Sequence, residues 1–225
     1  MKIENGETLI YLCSRQSKFL VMAMMSLAIL SVKAQEGLLS CPDENHPHAI
    51  DLGVSNTLWS CCNMGAMKPE ELGGHYALGE LQEKDEYTYE NYIFGGVKAK
   101  GSDGVVRKLG NEIRSTYKDI AHMKWRDKWT LPTTEQFSDL RKCKRRRITY
   151  NGVSGVIVIG PNENRIFIPF AGTDGKKTNG DNCGQYWSAS IVDGCKAFYF
   201  TVGDCSDGDC AYAYHGLSIR PIMPK

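Results

Sequence analysis

Residues 155–168 read GVIVIGPNENRIFI, and this stretch decides the fold class. Its two apolar runs, 155–159 and 165–168, flank a segment of turn-forming residues, Gly160-Pro-Asn-Glu-Asn164. Short runs rich in Val, Ile and Phe on either side of such a segment are typical of a β-hairpin. The sequence therefore predicts two antiparallel strands here, preceded by another turn at Asn151-Gly152.

Downstream of this hairpin the strand pattern continues. We expect strands over 186–190, 196–202 and 211–214, the last continuing past Gly216 into 217–221. Strands gathered in the C-terminal half, with a helix and long loops before them, indicate an α+β domain with an antiparallel sheet.

The predicted helix lies upstream of the hairpin, over 134–143. Thr133 and Gln136 have the spacing of a capping box, in which each side chain bonds the backbone of the other residue. Glu135 in the first turn and Arg141 in the last suit the helix dipole.

Composition excludes several classes of protein. The chain has 225 residues, of which 42% are hydrophobic and 24% charged, so disordered and collagen-like chains are excluded. Lys and Arg number 27 against 26 Asp and Glu, a net charge of +1. This balance supplies no general attraction to nucleic acid or to an anionic membrane.

The N-terminal apolar run, 19–32, indicates export. It is shorter than the about 20 apolar residues of a transmembrane helix, but it fits the roughly 7–15 residues of a signal-peptide core. We therefore predict a signal peptide over 1–34, a short segment over 35–45, a single domain over 46–225 and no transmembrane span. The mature protein would be extracellular, at the cell surface or periplasmic.

Two alternatives for the N-terminal region stay open. The run 19–32 would also suit a buried core helix. Leu38-Leu39-Ser40-Cys41 has the form of a lipoprotein cleavage box, which would attach a lipid anchor at Cys41, although polar residues separate this box from the apolar run.

The cysteine count supports the export prediction. The chain has nine cysteines, and cleavage after Ala34 removes Cys13 and leaves an even set. An even set in an exported chain favours disulfides over metal binding. Sequence alone does not determine the pairing, and the pairs that we hypothesise are Cys205 with Cys210, Cys183 with Cys195, and Cys143 with either Cys61 or Cys62.

Seven motifs follow one another along the domain. They are His48-Ala-Ile-Asp-Leu-Gly-Val54, Leu58-Trp-Ser-Cys-Cys-Asn-Met-Gly-Ala66, Gly74-His-Tyr-Ala-Leu-Gly-Glu80, Leu131-Pro-Thr-Thr-Glu135, Ile166-Phe-Ile-Pro-Phe-Ala-Gly172, Tyr186-Trp-Ser-Ala-Ser190 and Gly216-Leu-Ser-Ile-Arg-Pro221. In this order they resemble the Fibrobacter succinogenes major paralogous domain family. The resemblance implies a C-type lectin-like fold, related to the formylglycine-generating sulfatase-modifying enzymes and to the variable proteins of retroelements. Such folds present binding loops on a rigid sheet.

The analogy with the variable proteins places a binding surface between residues 183 and 216. Aromatic side chains with polar tips suit stacking on sugars or anchoring a protein partner, although most aromatics in strands pack in a core. The candidate ligand-binding residues are Tyr186, Trp187, Tyr199, Tyr212, Tyr214 and His215.

A dense basic run begins at the end of the predicted helix. It could bind a polyanion such as a sulfated glycan, or it could be a solvated helix end leading into an edge strand, where positive charge discourages pairing between sheets. The run comprises Arg141, Lys142, Lys144, Arg145, Arg146 and Arg147.

The sequence thus predicts a secreted or cell-surface recognition module that binds a glycan or a surface or matrix protein through its C-terminal loops. Histidines and cysteines do not stand in a catalytic motif, and the acidic loop at Asp204, Asp207 and Asp209 lacks calcium-loop spacing, so we expect no catalysis, no cofactor and no metal. Two alternatives stay open. One is a structural or assembly component of a surface layer or fimbria, and the other is an enzyme of the sulfatase-modifying type.

Overall fold

The computed structural model of the protein describes residues 45–95, 109–126, 128–176, 182–192, 196–205 and 209–225. All of them belong to one unit, Ser40–Lys225. The predicted signal peptide, nearly all of the segment 35–45 and the predicted anchor residue Cys41 lie outside the described residues. Within the described chain, no helix has the length and apolar character needed to cross a membrane.

Three antiparallel sheets and two helices make up the regular structure of the described residues, so the α+β prediction is confirmed at the level of class. The sheets have the strand orders β1-β2-β9, β3-β4-β5 and β6-β7-β8. The elements are β1 (Ala49–Asp51), β2 (Thr57–Ser60), α1 (Ile120–Trp125), α2 (Thr134–Lys142), β3 (Lys144–Tyr150), β4 (Val153–Ile159), β5 (Arg165–Pro169), β6 (Cys183–Ile191), β7 (Lys196–Gly203), β8 (Cys210–Tyr212) and β9 (Ile222–Pro224).

The predicted hairpin is confirmed as β4 and β5, which pair with Ile157 opposite Phe167. Its turn is fixed to β1, because the side-chain amides of Asn162 and Asn164 both donate to the carbonyl of Asp51, at 2.9 and 2.8 Å. These two hydrogen bonds connect the β3-β4-β5 sheet, which carries the turn, to the β1-β2-β9 sheet.

The predicted helix is confirmed as α2. Thr133 and Gln136 form the complete capping box. The helix buries Phe137 and Leu140, and the Phe137 ring stacks on Phe200 of β7 with ring centres 4.6 Å apart. The helix therefore packs against the sheet that carries the C-terminal strands.

The predicted strand over 211–214 and 217–221 is partly wrong. Strand β8 ends at Tyr212, and the chain then turns. Leu217 and Ser218 make only single bridges, to Tyr76 and Tyr186 respectively. The last true strand is β9, which lies beyond the predicted range.

The core lies on both faces of β6. Tyr186 points into one buried cluster, with Phe200 and Ile222, while its neighbour Trp187 points into another, with Leu78. Neighbouring residues of a strand face opposite sides of a sheet, so this strand is covered from both directions.

The structure contains a disulfide between Cys183 and Cys205, with Cα atoms 4.9 Å apart. The hypothesised pairs of Cys205 with Cys210 and of Cys183 with Cys195 are therefore wrong. The register of β6 against β7 explains the difference, because Cys183 lies opposite Gly203 and the chain brings Cys205 beside it. Within the described chain Cys143 is not disulfide-bonded, so the hypothesised link between Cys143 and Cys61 or Cys62 is also not formed.

Candidate functional site

Tyr212, Tyr214 and His215 form a stack of rings that we call the aromatic platform. Tyr212 is the last residue of β8, and the other two lie in the turn that follows. Ring centres of Tyr212 and Tyr214 are 5.6 Å apart and those of Tyr214 and His215 are 4.6 Å apart, with planes tilted by 11° and 23°. All three side chains are half-buried, so part of each ring faces solvent.

Polar and aromatic groups from other segments surround the platform. The Lys196 ammonium lies 4.5 Å from the centre of the Tyr212 ring, a cation–π contact. His215 Nδ1 lies 2.6 Å from a carboxylate oxygen of Asp174. The platform thus has one basic and one acidic neighbour at its ends.

The segment 81–95 packs against the platform. Tyr89 meets Tyr214 edge to face, with ring centres 6.2 Å apart. Tyr87 lies so close to Gly175 and Gly216 that a Cβ atom on either would come within 2.6 Å of its ring. A hydrogen bond connects the loops that contain these two glycines, because the Gly175 N–H donates to the Gly216 carbonyl at 2.6 Å. Two tyrosines of this segment therefore set the position of the platform turn.

The Tyr214 hydroxyl keeps its proton at neutral pH. Partial burial raises its pKa above the ordinary value, and nearby Tyr212, Asp174 and Glu90 raise it further. A protonated phenol can both donate and accept a hydrogen bond. The platform therefore offers a ring face together with a neutral hydrogen-bonding tip.

Two of the predicted ligand-binding residues are wrong, because they are core residues. Tyr186 and Trp187 are buried. The Tyr186 hydroxyl donates to the Pro169 carbonyl at 2.6 Å, and the Trp187 indole N–H donates to the Tyr76 carbonyl at 2.8 Å. Their polar tips are already satisfied inside the protein.

Tyr199 lies apart from the platform. It lines a separate recess of about 170 Å³ together with Phe198 and Asp209. Of the six predicted residues, the structure brings three together.

The basic run divides between two elements. Arg141 and Lys142 end α2, while 144–147 begin β3, and all six side chains are exposed. Strand β3 lies at the edge of its sheet. The run therefore occupies the position that the edge-strand interpretation expects, and anion binding stays a prediction.

Several of these basic side chains are engaged. Arg147 bonds Asp204 at 2.7 Å, and the Arg141 guanidinium lies 4.8 Å from the centre of the Phe200 ring. Lys142 pairs with Asp139 at 2.8 Å within α2. These contacts stabilise the join between α2, β3 and β7.

A groove of about 260 Å³ runs beside this join. Its floor is apolar, from Val156, Val158 and Phe200, and its rim carries Arg145 and Arg147. The pairing of β3 with β4 sets this arrangement, because Arg145 lies opposite Val158 and Arg147 opposite Val156.

A third cluster was missed by the sequence analysis, which predicts no metal. It consists of His46, His48 and Cys61, whose potential ligand atoms all lie within 4.8 Å of one another. A hydrogen bond with the Cys62 side chain, together with those from the His48 backbone and the His46 ring, lowers the pKa of Cys61 to about 4 against the opposing effect of burial. The sequence contains a His-x-His spacing at His46 and His48, which is a weak signal for a metal site by itself. The third ligand, Cys61, becomes apparent only from the pairing of β1 with β2.

No protein-family model, no curated protein and no solved structure matches the chain. The resemblance to the major paralogous domain family therefore stays a prediction from the motifs.

Proposed function

We propose that the protein is an exported recognition module with a C-type lectin-like fold, which binds a glycan or a surface protein through the aromatic platform and carries out no catalysis. The ordered motifs between residues 48 and 221 support the fold and the family. The antiparallel sheets with two helices are compatible with such a fold. The predicted signal peptide supports export.

The half-exposed ring stack is the observation that carries this proposal. Tyrosine rings bury a large apolar area when a ligand covers them, and their hydroxyls can hydrogen-bond at the same time. Sugar rings offer both an apolar face and hydroxyl groups, and protein partners offer apolar side chains. The platform combines these properties at Tyr212, Tyr214 and His215.

Preorganisation adds to the suitability of this surface. Tyr87 and Tyr89 hold the turn from below, and Lys196 and Asp174 flank it. A surface that is already ordered loses less conformational entropy when a ligand binds. Polar groups at its ends provide the directional contacts that select one ligand over another.

The test is a glycan and matrix-protein array probed with the full chain. We expect the wild-type protein to bind at least one ligand, and Tyr212→Ala and Tyr214→Ala each to weaken that binding at least about tenfold, which corresponds to about 1.4 kcal/mol. Tyr117→Ala is the matched control, because Tyr117 is 64% exposed and its ring contacts lie outside the platform. It should leave binding unchanged.

Two results would overturn the proposal. Wild-type protein that binds nothing on the array would favour an assembly component, for which self-association is the readout. Binding that survives both platform substitutions in folded protein would place the ligand elsewhere, and the groove beside Arg145 and Arg147 would be the next surface to test.

A further inference from the structure

The cluster of His46, His48 and Cys61 lies at the opposite end of the sequence from the platform and arises from strand register. His46 and His48 lie just before β1, and their rings meet edge to face with centres 5.0 Å apart. Strand β1 pairs with β2 so that Ala49 lies opposite Ser60, which places His48 opposite Cys61. The backbone confirms this continuation, because Cys61 N–H donates to the His48 carbonyl at 3.0 Å.

The interatomic distances fit a metal site. His46 Nδ1 lies 3.0 Å and His48 Nδ1 3.7 Å from Cys61 Sγ. In a tetrahedral zinc site, bonds of about 2.3 Å to sulfur and about 2.05 Å to nitrogen separate the sulfur and nitrogen ligands by about 3.5 Å. The two measured distances lie on either side of that value, so small side-chain rotations would suffice to place an ion between the three atoms.

We propose that His46 Nδ1, His48 Nδ1 and Cys61 Sγ bind one thiophilic transition-metal ion, and that Zn²⁺ is the ion this ligand set fits. Two imidazoles and one thiolate are ligands that zinc prefers, whereas calcium and magnesium take oxygen ligands. Three protein ligands leave the fourth position of a tetrahedral ion for solvent. The partial exposure of both histidines gives solvent access to that position, while Cys61 is buried.

Charges around the cluster assign the largest role to Cys61. The buried Arg220 donates to the carbonyls of Ser60 and Phe167, and it interacts electrostatically with Cys61 and Cys62. This guanidinium repels a metal cation. The negative charge of the Cys61 thiolate offsets that repulsion. Loss of the thiolate should therefore cost more affinity than loss of either imidazole.

The test uses Co²⁺ as a spectroscopic substitute for Zn²⁺ on the metal-free full chain, without thiol reductants. A thiolate ligand to Co²⁺ produces a charge-transfer absorption in the near ultraviolet, so the band reports on sulfur ligation directly. We expect the band to saturate at one Co²⁺ per chain and to disappear when Zn²⁺ is added. Cys61→Ser should abolish it, and His46→Ala and His48→Ala should each weaken binding at least about tenfold, since even groups that only support a ligand are worth 10–100-fold.

Two variants serve as matched controls. Cys210→Ser removes an exposed thiol and His122→Ala removes a partly exposed imidazole, both outside the cluster. Both should bind Co²⁺ as the wild type does. A band that persists in folded Cys61→Ser, or one lost in Cys210→Ser, would overturn the proposal.

Alkylation distinguishes between two roles of Cys61, that of a metal ligand and that of a reactive thiolate that binds no metal. If Zn²⁺ protects Cys61 from iodoacetamide, the site is a metal site; rapid alkylation of Cys61 that Zn²⁺ does not slow would overturn the proposal. Should circular dichroism show that Cys61→Ser does not fold, the His46 and His48 variants carry the test, because equal Co²⁺ affinity in both and in the wild type would refute it.

Discussion

Two pairs of aromatic residues in one sheet have opposite environments. On β6, Tyr186 and Trp187 are buried with their polar tips bonded to backbone carbonyls. At the end of β8, Tyr212 and Tyr214 are half-exposed and stack on each other. Residue type alone therefore does not separate core from candidate binding surface in this protein.

The difference follows from the position of each strand in the sheet. One edge of β6 pairs with β7, and its other edge bridges to Gly172 and Ser218, so this strand lies inside the molecule. Strand β8 is the last strand of the same sheet. An edge strand that ends in a turn leaves its final side chains partly in solvent, which is where a ligand can reach them.

The largest loss of stability should come from truncating a side chain of the buried pair, Tyr186 and Trp187. Trp187→Ala removes a fully buried indole and one of the two donors to the Tyr76 carbonyl, which also accepts from the Leu217 N–H. We therefore expect the free energy of unfolding to fall by about 3–5 kcal/mol, mainly through the lost packing. Denaturant unfolding followed by circular dichroism measures it. Tyr214→Ala is the counterpart and should cost about 1 kcal/mol or less, because its ring is already partly solvated. Equal losses in the two variants would contradict the division into core and platform.

The disulfide should have the next largest effect, since it ties the start of β6 to the end of β7. Cys205→Ala should lower the free energy of unfolding by about 3 kcal/mol, the typical value for closing a loop of this length. Peptide mapping without reduction should recover Cys183 linked to Cys205. Recovery of Cys205 linked to Cys210 instead would contradict the structure and support the pairing hypothesised from the sequence. Cys210→Ser is the control and should leave the free energy of unfolding unchanged.

The smallest effect concerns the exposed pair of Arg147 and Asp204, on the basic side of the molecule. The hydrogen bond from Arg147 holds the pKa of Asp204 below its ordinary value. The pair therefore adds stability above the ordinary aspartate pKa of about 3.9, and that contribution disappears as the pH falls through the lowered pKa. Carboxyl NMR titration should show the Asp204 pKa rising in Arg147→Gln and unchanged in Arg146→Gln, which removes the neighbouring exposed arginine and keeps the contact of Arg147 with Asp204. An unchanged pKa in Arg147→Gln would show that the pair is absent in solution.

Local sequence signals predicted the elements that depend on local chemistry. The turn residues of 160–164 and the capping box at Thr133 and Gln136 each act within a few residues, and both elements form as expected. These features need no knowledge of the rest of the chain.

Features that depend on distant contacts were not predicted. The short helix α1 has only six residues and owes its start to the buried Asp119, which caps it and also accepts from the backbone of Leu131. The burial of Trp187 depends on residues such as Leu78 in a segment without regular periodicity. The partner of Cys183 depends on the register of β7. The deciding contacts lie 12 residues apart for Asp119 and Leu131, 22 for Cys183 and Cys205, and 111 for Trp187 and Tyr76.

The contact of Tyr87 with Gly175 and Gly216 also bears on the order of folding. One ring joins three segments that are far apart in the chain, and its hydroxyl bonds the carbonyl of His75. Such non-local contacts form only after the intervening chain has closed, so they come later in folding than local hairpins. The turn that carries the aromatic platform therefore takes its final position only once Tyr87, Gly175 and Gly216 have come together.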